Sequence, residues 1–214
     1  MSNTRTLIGD VETVDALVAD TLEELEESEI DYLGEYALYN KVTLTSIKFP
    51  NVITIYNSAF RGCTGIEEIE EEDLPSVERI YAGAFRDCSS LTKINLPSIQ
   101  RIEEECFLNC SSLEEVDIGE NLAAFYADNI FRACGNLKHL VLDCVEVPEL
   151  TRETIFNRCP LQANEGAIYV KDELYDDYKA HEFWGRYYIV KKSQYPVDDL
   201  SSISDSWAEI LAAE

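Results

Sequence analysis

Basic residues, glycine, histidine and long apolar runs are all scarce in this chain, and each shortage closes off a class of function. Against 42 Asp and Glu stand 17 Lys and Arg, giving a net charge of −25 and a pI near 4.3. A surface of that sign repels phosphate backbones and anionic lipid headgroups, which argues against nucleic acid or a membrane surface as partner. It suits solubility, or a basic partner. No apolar run comes near the ~20 residues that cross a bilayer, so membrane insertion is not expected. Arg5 stands near the start, but Asp10, Glu12 and Asp15 interrupt any apolar stretch of a secretory signal. The nine glycines form no phosphate-cradling loop, and neither a nucleophile elbow nor His-Glu-x-x-His occurs.

Metal and disulfide spacings are missing too. The seven cysteines are an odd number, no Cys-x-x-Cys occurs, and the two histidines lie far from any cysteine cluster with zinc spacing. Cys106 and Cys110 stand one helical turn apart without further ligands. Reduced, buried cysteines are expected. The run "EEIEEED" (67–73) is rich in carboxylates but lacks an Asp-x-Asp-x-Asp-Gly calcium loop. Nothing marks a catalytic pocket, so no enzyme activity, metal or cofactor is expected.

What the chain does have is a repeat. Phe-x-x-Cys occurs five times, at Phe60/Cys63, Phe85/Cys88, Phe107/Cys110, Phe131/Cys134 and Phe156/Cys159, with cysteine intervals of 25, 22, 24 and 25 residues. Three residues past each cysteine stands an aliphatic: Ile66, Leu91, Leu113, Leu137 or Leu161. Another follows at Ile69, Ile94, Val116 and Leu140, and a third at Leu96, Ile118 and Leu142, where Glu71 breaks the rule. Upstream, Leu44, Ile47 and Phe49 keep the spacing ahead of Ile55, Ala59 and Phe60. A degenerate unit before that keeps Leu22, Leu25, Leu33 and Ala37, with Leu38 in place of Phe and Lys41 in place of Cys.

Two periods run through each unit. L-x-x-I-x-L ends in the alternation of a short strand with one buried face. The second half, as in "SIQRIEEECFLNC", holds a turn, a brief apolar return and an i, i+3 pair that reads as a helical turn. One unit cannot bury its own apolar face, so the units must stack and share a continuous core. The expected fold is an α/β solenoid of about six rungs, with short parallel strands on one face and short helical turns on the other.

Units such as "LTKINLPSIQRIEEECFLNCSS" resemble the BspA-type leucine-rich repeat, whose pattern runs L-x-x-I-x-L-P-x-x-x-x-I-x-x-x-A-F-x-x-C-x-x. The resemblance covers roughly residues 22 to 161. "EIEEEDLPSVERI" carries an insertion, while "DIGENLAAFYADNIF" and "LDCVEVPELTRETIF" lack the usual Leu-Pro, so the later rungs should be less regular. The organisation expected is an N-terminal cap over 1–21, the solenoid over 22–161 and a strand-helix cap over 162–196. Residues 197–214 then form a linker and short helix around Trp207, docked on the cap or beginning a further domain. In the cap, "AIYV" reads as a strand and "KDELYDDYKAHEFW" as a helix with Asp172 as N-cap. Val11, Val14 and Leu17 suggest a small amphipathic helix over the first rung.

Function in a stack of this kind is expected on the outward side of the strand ladder, where side chains from successive rungs align. One outward column reads Ser46, Glu68, Lys93, Glu115, His139 and its neighbour Lys48, Glu70, Asn95, Asp117, Val141. Glu68, Glu70, Lys93, Asn95, Glu115, Asp117 and His139 are the candidate ligand-binding residues, and no aromatic anchor stands among them. The alternative is charge alternation that keeps a sheet face soluble. The family resemblance implies adhesion or recognition of a protein or glycan surface. The missing secretion signal points to the exterior of a bacteriophage or prophage virion, reached by assembly into a larger particle or homo-oligomer. A bacterial surface adhesin without its export segment, or a cytosolic scaffold, is the alternative.

Overall fold

The computed structural model describes residues 6–7, 24–26, 30–125, 127–150 and 153–196. Val11, Val14, Leu17, Leu22 and the expected helix around Trp207 lie outside the described residues. In chain order, β1 (Thr6–Leu7) and β2 (Glu24–Glu26) are followed by β3 (Tyr32–Leu33) and β4 (Ser46–Lys48). Next come β5 (Thr54–Ile55), β6 (Glu68–Ile69), β7 (Arg79–Ile80) and β8 (Lys93–Leu96). After them run β9 (Arg101–Ile102), β10 (Glu115–Ile118), β11 (Ala124–Phe125) and β12 (His139–Leu142). The last are β13 (Glu149–Leu150), β14 (Ala167–Val170) and β15 (Ile189–Lys191).

Among the described residues all the pairings are parallel, and they separate into two ladders. The face ladder has the order β15-β14-β12-β10-β8-β6, with the pair β2-β4 placed so that β4 lies against β6. The second ladder, β1-β3-β5-β7-β9 and then β11-β13, is built from the brief apolar returns. Strands thus line two sides of the coil rather than one. In β8 and β10 alternate residues are buried, so Ile94, Leu96, Val116 and Ile118 enter the core while Lys93, Asn95, Glu115 and Asp117 face away. The main hydrophobic cluster runs from Ile30 to Ile189. The solenoid follows the sequence pattern.

The Phe-x-x-Cys segments differ locally from expectation. They are runs of overlapping turns, not helical turns, save for a 3-10 turn at Glu153–Phe156 in the last rung. Around Phe85, Ala84 N–H bonds Tyr81 O at 3.2 Å, Arg86 N–H bonds Gly83 O at 3.0 Å and Cys88 N–H bonds Phe85 O at 3.2 Å. The alternate amides point out of the rung: Gly83, Phe85 and Asp87 donate to Glu104, Cys106 and Leu108 of the next coil at 2.9–3.0 Å. A helix aims every N–H along its own axis and leaves none for a neighbour. Overlapping turns share the donors between the two directions. The arrangement needs left-handed backbone twice per rung, at Ser58/Gly62, Gly83/Asp87, Glu105/Asn109 and Asn129/Ala133. Gly, Asn and Asp supply much of it because they reach positive φ at the least steric cost.

The ladder of cysteines has a specific reason. Cys63, Cys88, Cys110 and Cys134 donate their thiols to the carbonyls of Leu38, Phe60, Phe85 and Phe107 one rung earlier, at 2.9–3.1 Å. Each of the three Phe carbonyls already accepts the amide of its own rung's cysteine. The thiol therefore fills the second lone pair of a buried carbonyl, which no aliphatic of that size can do. All seven cysteines are free and buried, as expected. Burial pushes the thiols of Cys63, Cys106, Cys144 and Cys159 up to about 12, and those of Cys88, Cys110 and Cys134 well above the usual range.

Beyond the repeats, β14 and β15 extend the face ladder. The single helix expected over "KDELYDDYKAHEFW" is divided into a 3-10 turn at Asp172–Leu174, α1 (Tyr175–Ala180) and a 3-10 turn at Trp184–Arg186. Asp172 does not cap it. Leu174 holds the N-cap of α1 without a side-chain bond, and the Asp172 carboxylate instead accepts Ser193 N–H at 3.0 Å and Ser193 Oγ–H at 2.6 Å. Trp184 is fully buried, its Nε1–H bonded to Pro148 O at 2.7 Å and its ring edge-on to Phe125 and Tyr178, both at 5.7 Å. Those contacts seal the end of the core.

Candidate functional site

Parallel pairing brings the predicted columns together. Glu68, Lys93, Glu115 and His139 are successive register partners, and so are Asn95, Asp117 and Val141. Glu70 stands one residue past the end of β6, with its carboxylate 3.9 Å from Lys93 Nζ. Lys93 also reaches Glu115 Oε1 at 3.3 Å, and His139 Nδ1 lies 3.8 Å from Glu115 Oε2. Glu115 is the hub of the face. Its third neighbour is Tyr195, whose hydroxyl donates to Glu115 Oε2 across 80 residues of chain.

Tyr195 is the residue that sequence reasoning missed in this role. A strap at Lys192–Gln194 carries it back over the ladder, tied by the Lys192–Asp143 ion pair and the Ser193–Asp172 bonds. Its ring packs edge-on to Tyr169 at 4.7 Å and His139 at 5.9 Å, while His139 meets Tyr169 at 5.7 Å. Val141, on the outward column, is consequently buried with Ala167 and Tyr169 beneath the strap. Tyr169 had a readable signal: "AIYV" carries the register of "HLVL" one rung further, with Tyr169 opposite Val141. Tyr195 had none.

The electrostatics of the two columns differ sharply. The neighbouring His139 imidazole, opposed by partial burial and reinforced by the Tyr195 hydroxyl and by Lys93, holds the Glu115 carboxyl down to about 2. Asp117 is pushed the other way, to about 6, first by burial and then by the charge of Glu115, with Lys93 offsetting only part. Its Oδ1 is closed off from solvent and has no hydrogen-bond donor.

A raised carboxyl pKa makes the folded state the better proton binder between the unfolded value of 3.8 and about 6. The Asp117 contribution therefore stabilises the fold as pH falls from 7 towards 4, and Asp117→Asn removes that dependence. Urea unfolding should show Asp117→Asn more stable than wild type at pH 7, with the difference shrinking by pH 5. A constant difference across that range would refute the assignment. Glu115 does not interfere there, because its own contribution is lost only as pH falls below 4.5 towards about 2.

Past the carboxyl ends of β8, β10 and β12 lies a cleft of about 640 Å³, lined among others by Asn95, Pro97, Asp117, Gly119, Val141 and Tyr195. The Lys192–Asp143 pair and the Lys171–Glu120 pair, 3.7 Å apart, stand at its rim. Among the described residues no group of three or more His, Cys, Asp and Glu is arranged to hold a metal ion. No helix among them is long and apolar enough to cross a membrane.

The profile of the BspA-type leucine-rich repeat region matches residues 31–162 in six copies. The chain belongs to this family. As a BspA-type leucine-rich repeat protein it is similar to the crystal structure of a leucine-rich repeat protein of T. pallidum, with 25% sequence identity and a TM-score of 0.54. That match covers 64% of this chain and 64% of the T. pallidum protein. A leucine-rich repeat protein from Bacteroides ovatus ATCC 8483 is 16% identical with a TM-score of 0.29, over 69% of this chain and 55% of that one. The search of curated proteins gave no significant match.

Proposed function

We propose that this leucine-rich repeat protein is a non-enzymatic recognition module that binds a protein or glycan surface through the outward face of its strand ladder. The setting that goes with this reading is the exterior of a bacteriophage or prophage virion, with a bacterial cell surface as the alternative. The observation that carries the reading is the in-register run Glu68, Lys93, Glu115, His139 on the face ladder. It presents polar groups at a fixed rung spacing of ~4.8 Å, while the alternate residues of the same strands are committed to the core. The cluster of His139, Tyr169 and Tyr195 adds aromatic contact area at one end of it.

A paired exchange tests it. Lys93→Glu with Glu115→Lys keeps opposite charges at neighbouring positions but inverts the pattern offered to a partner. Binding to a glycan array and to a panel of bacterial cell surfaces should fall at least tenfold, about 1.4 kcal/mol. Tyr195→Phe, which removes only the strap's hydrogen bond to Glu115, separates loss of the strap from loss of the charge pattern. Binding unchanged by the exchange would remove the ladder face from the mechanism.

A further inference from the structure

We propose that the cleft beside Asp117 receives a guanidinium group, the side chain of an arginine on a basic protein partner, with the Asp117 carboxylate as its counter-ion. The proposal rests on the reading of the ladder face as a recognition surface and names what one part of that surface takes. Three observations lead to it. Asp117 lines the cleft with one oxygen buried and without a donor. The cations around it are engaged elsewhere: Lys93 with Glu115 and Glu70, Lys192 with Asp143, and Lys171 with Glu120. Two acids of the lining, Asp117 and Glu71, have no ion pair among the described residues, which leaves the cleft with uncompensated negative charge.

Glu71 is also where the repeat breaks its own rule. The corresponding residues of later rungs are Leu96, Ile118 and Leu142, all buried, whereas Glu71 is exposed at the cleft and β6 stops two residues short of it. The rung gives up one apolar contact, and the cleft receives a carboxylate. Asn95, register partner of Asp117, adds an amide acceptor beside it, and Tyr195 adds an aromatic ring to the wall. A guanidinium suits this set better than an ammonium. Its planar fork offers several N–H donors to adjacent acceptors at once, and its weak hydration favours an aromatic neighbour. Burial and then the charge of Glu115 raise the Asp117 carboxyl pKa, with Lys93 and Lys192 offsetting only part, and a guanidinium in the cleft would lower it.

The test is an amide-resolved NMR titration of the whole chain with acetyl-Gly-Arg-Gly-amide and with the same peptide carrying citrulline, which keeps the shape and loses the charge. The arginine peptide should shift the amides of Gly119 and of the ends of β10 and β12 in a saturable way. The citrulline peptide should bind at least tenfold more weakly, and Asp117→Asn should abolish the arginine response. Equal binding of the two peptides, an unaltered response in Asp117→Asn, or no saturable shift at roughly 10 mM peptide would each overturn the assignment. The citrulline comparison uses wild-type protein, so it does not depend on the variant's folding. A trimer of N-acetylglucosamine that saturates the same amides in place of the arginine peptide would also overturn it, while leaving the recognition reading standing. Surface binding lost in the Lys93/Glu115 exchange but accompanied by no arginine shift would sink this proposal alone.

Discussion

Replacing Phe107 with alanine is expected to cost about 3–5 kcal/mol of stability, a large part of the 5–15 kcal/mol typical of a folded domain. Phe107 is fully buried in the middle of a column of rings, 5.5 Å from Phe85 and 5.4 Å from Phe131, with planes within 9° of parallel. Its loss leaves a cavity and deprives two further rings of a stacking face. The neighbours cannot close in to fill it. Phe107 N–H is bonded to Ile130 O at 2.9 Å, Phe85 N–H to Cys106 O at 2.9 Å, and the strands on either side fix the rung spacing. Stability in a stack is close to a sum of rung terms and nearest-neighbour terms. A central lesion therefore weakens the coupling between the two halves as well as the total. Urea unfolding followed by circular dichroism should show a lower midpoint and a broader transition, with Phe107→Leu intermediate. A loss under about 1 kcal/mol would mean that the ring column is not what couples the rungs.

The stack was legible because its cause is repetitive. A residue that must match the residue beneath it recurs at the rung spacing, so Phe60, Phe85, Phe107, Phe131 and Phe156 announce the core column in the sequence alone. The columns Glu68–Lys93–Glu115–His139 and Asn95–Asp117–Val141 followed from the same register. The turns were not legible in the same way. An i, i+3 spacing of Phe and Cys is shared by a helical turn and by a run of β-turns, and only the paired positive-φ positions distinguish them. Several of those positions are held by residues such as Ser58, Glu105 and Ala133 that do not advertise a left-handed backbone. The second ladder was hidden because its strands are two residues long, too short for alternation to register. The strap was least visible of all. The bond from Tyr195 to Glu115 joins residues 80 positions apart through a segment that repeats nothing.

Gly119→Ala is expected to be a strongly damaging single methyl, and its cause is close approach rather than backbone torsion. A Cβ at Gly119 would stand 1.9 Å from Pro97 O and 2.5 Å from Pro97 C, both on the preceding rung. Backbone atoms cannot swing aside as a flexible side chain can. Gly119 N–H is itself bonded to Leu96 O at 3.1 Å, which holds the two coils together at that point. There is little slack to draw on, since only 22 residues separate Cys88 from Cys110 in this coil. The methyl must prise β8 from β10 at their carboxyl ends, for a loss of about 1–3 kcal/mol or more. Both Pro97 and Gly119 line the cleft, so the same displacement should weaken the arginine-peptide response. Gly135→Ala is the control, because a Cβ there meets nothing within 4 Å and should change stability by no more than about 0.5 kcal/mol. Equal stability of the two variants in thermal and urea unfolding would show that the separation of these rungs is not set at Gly119.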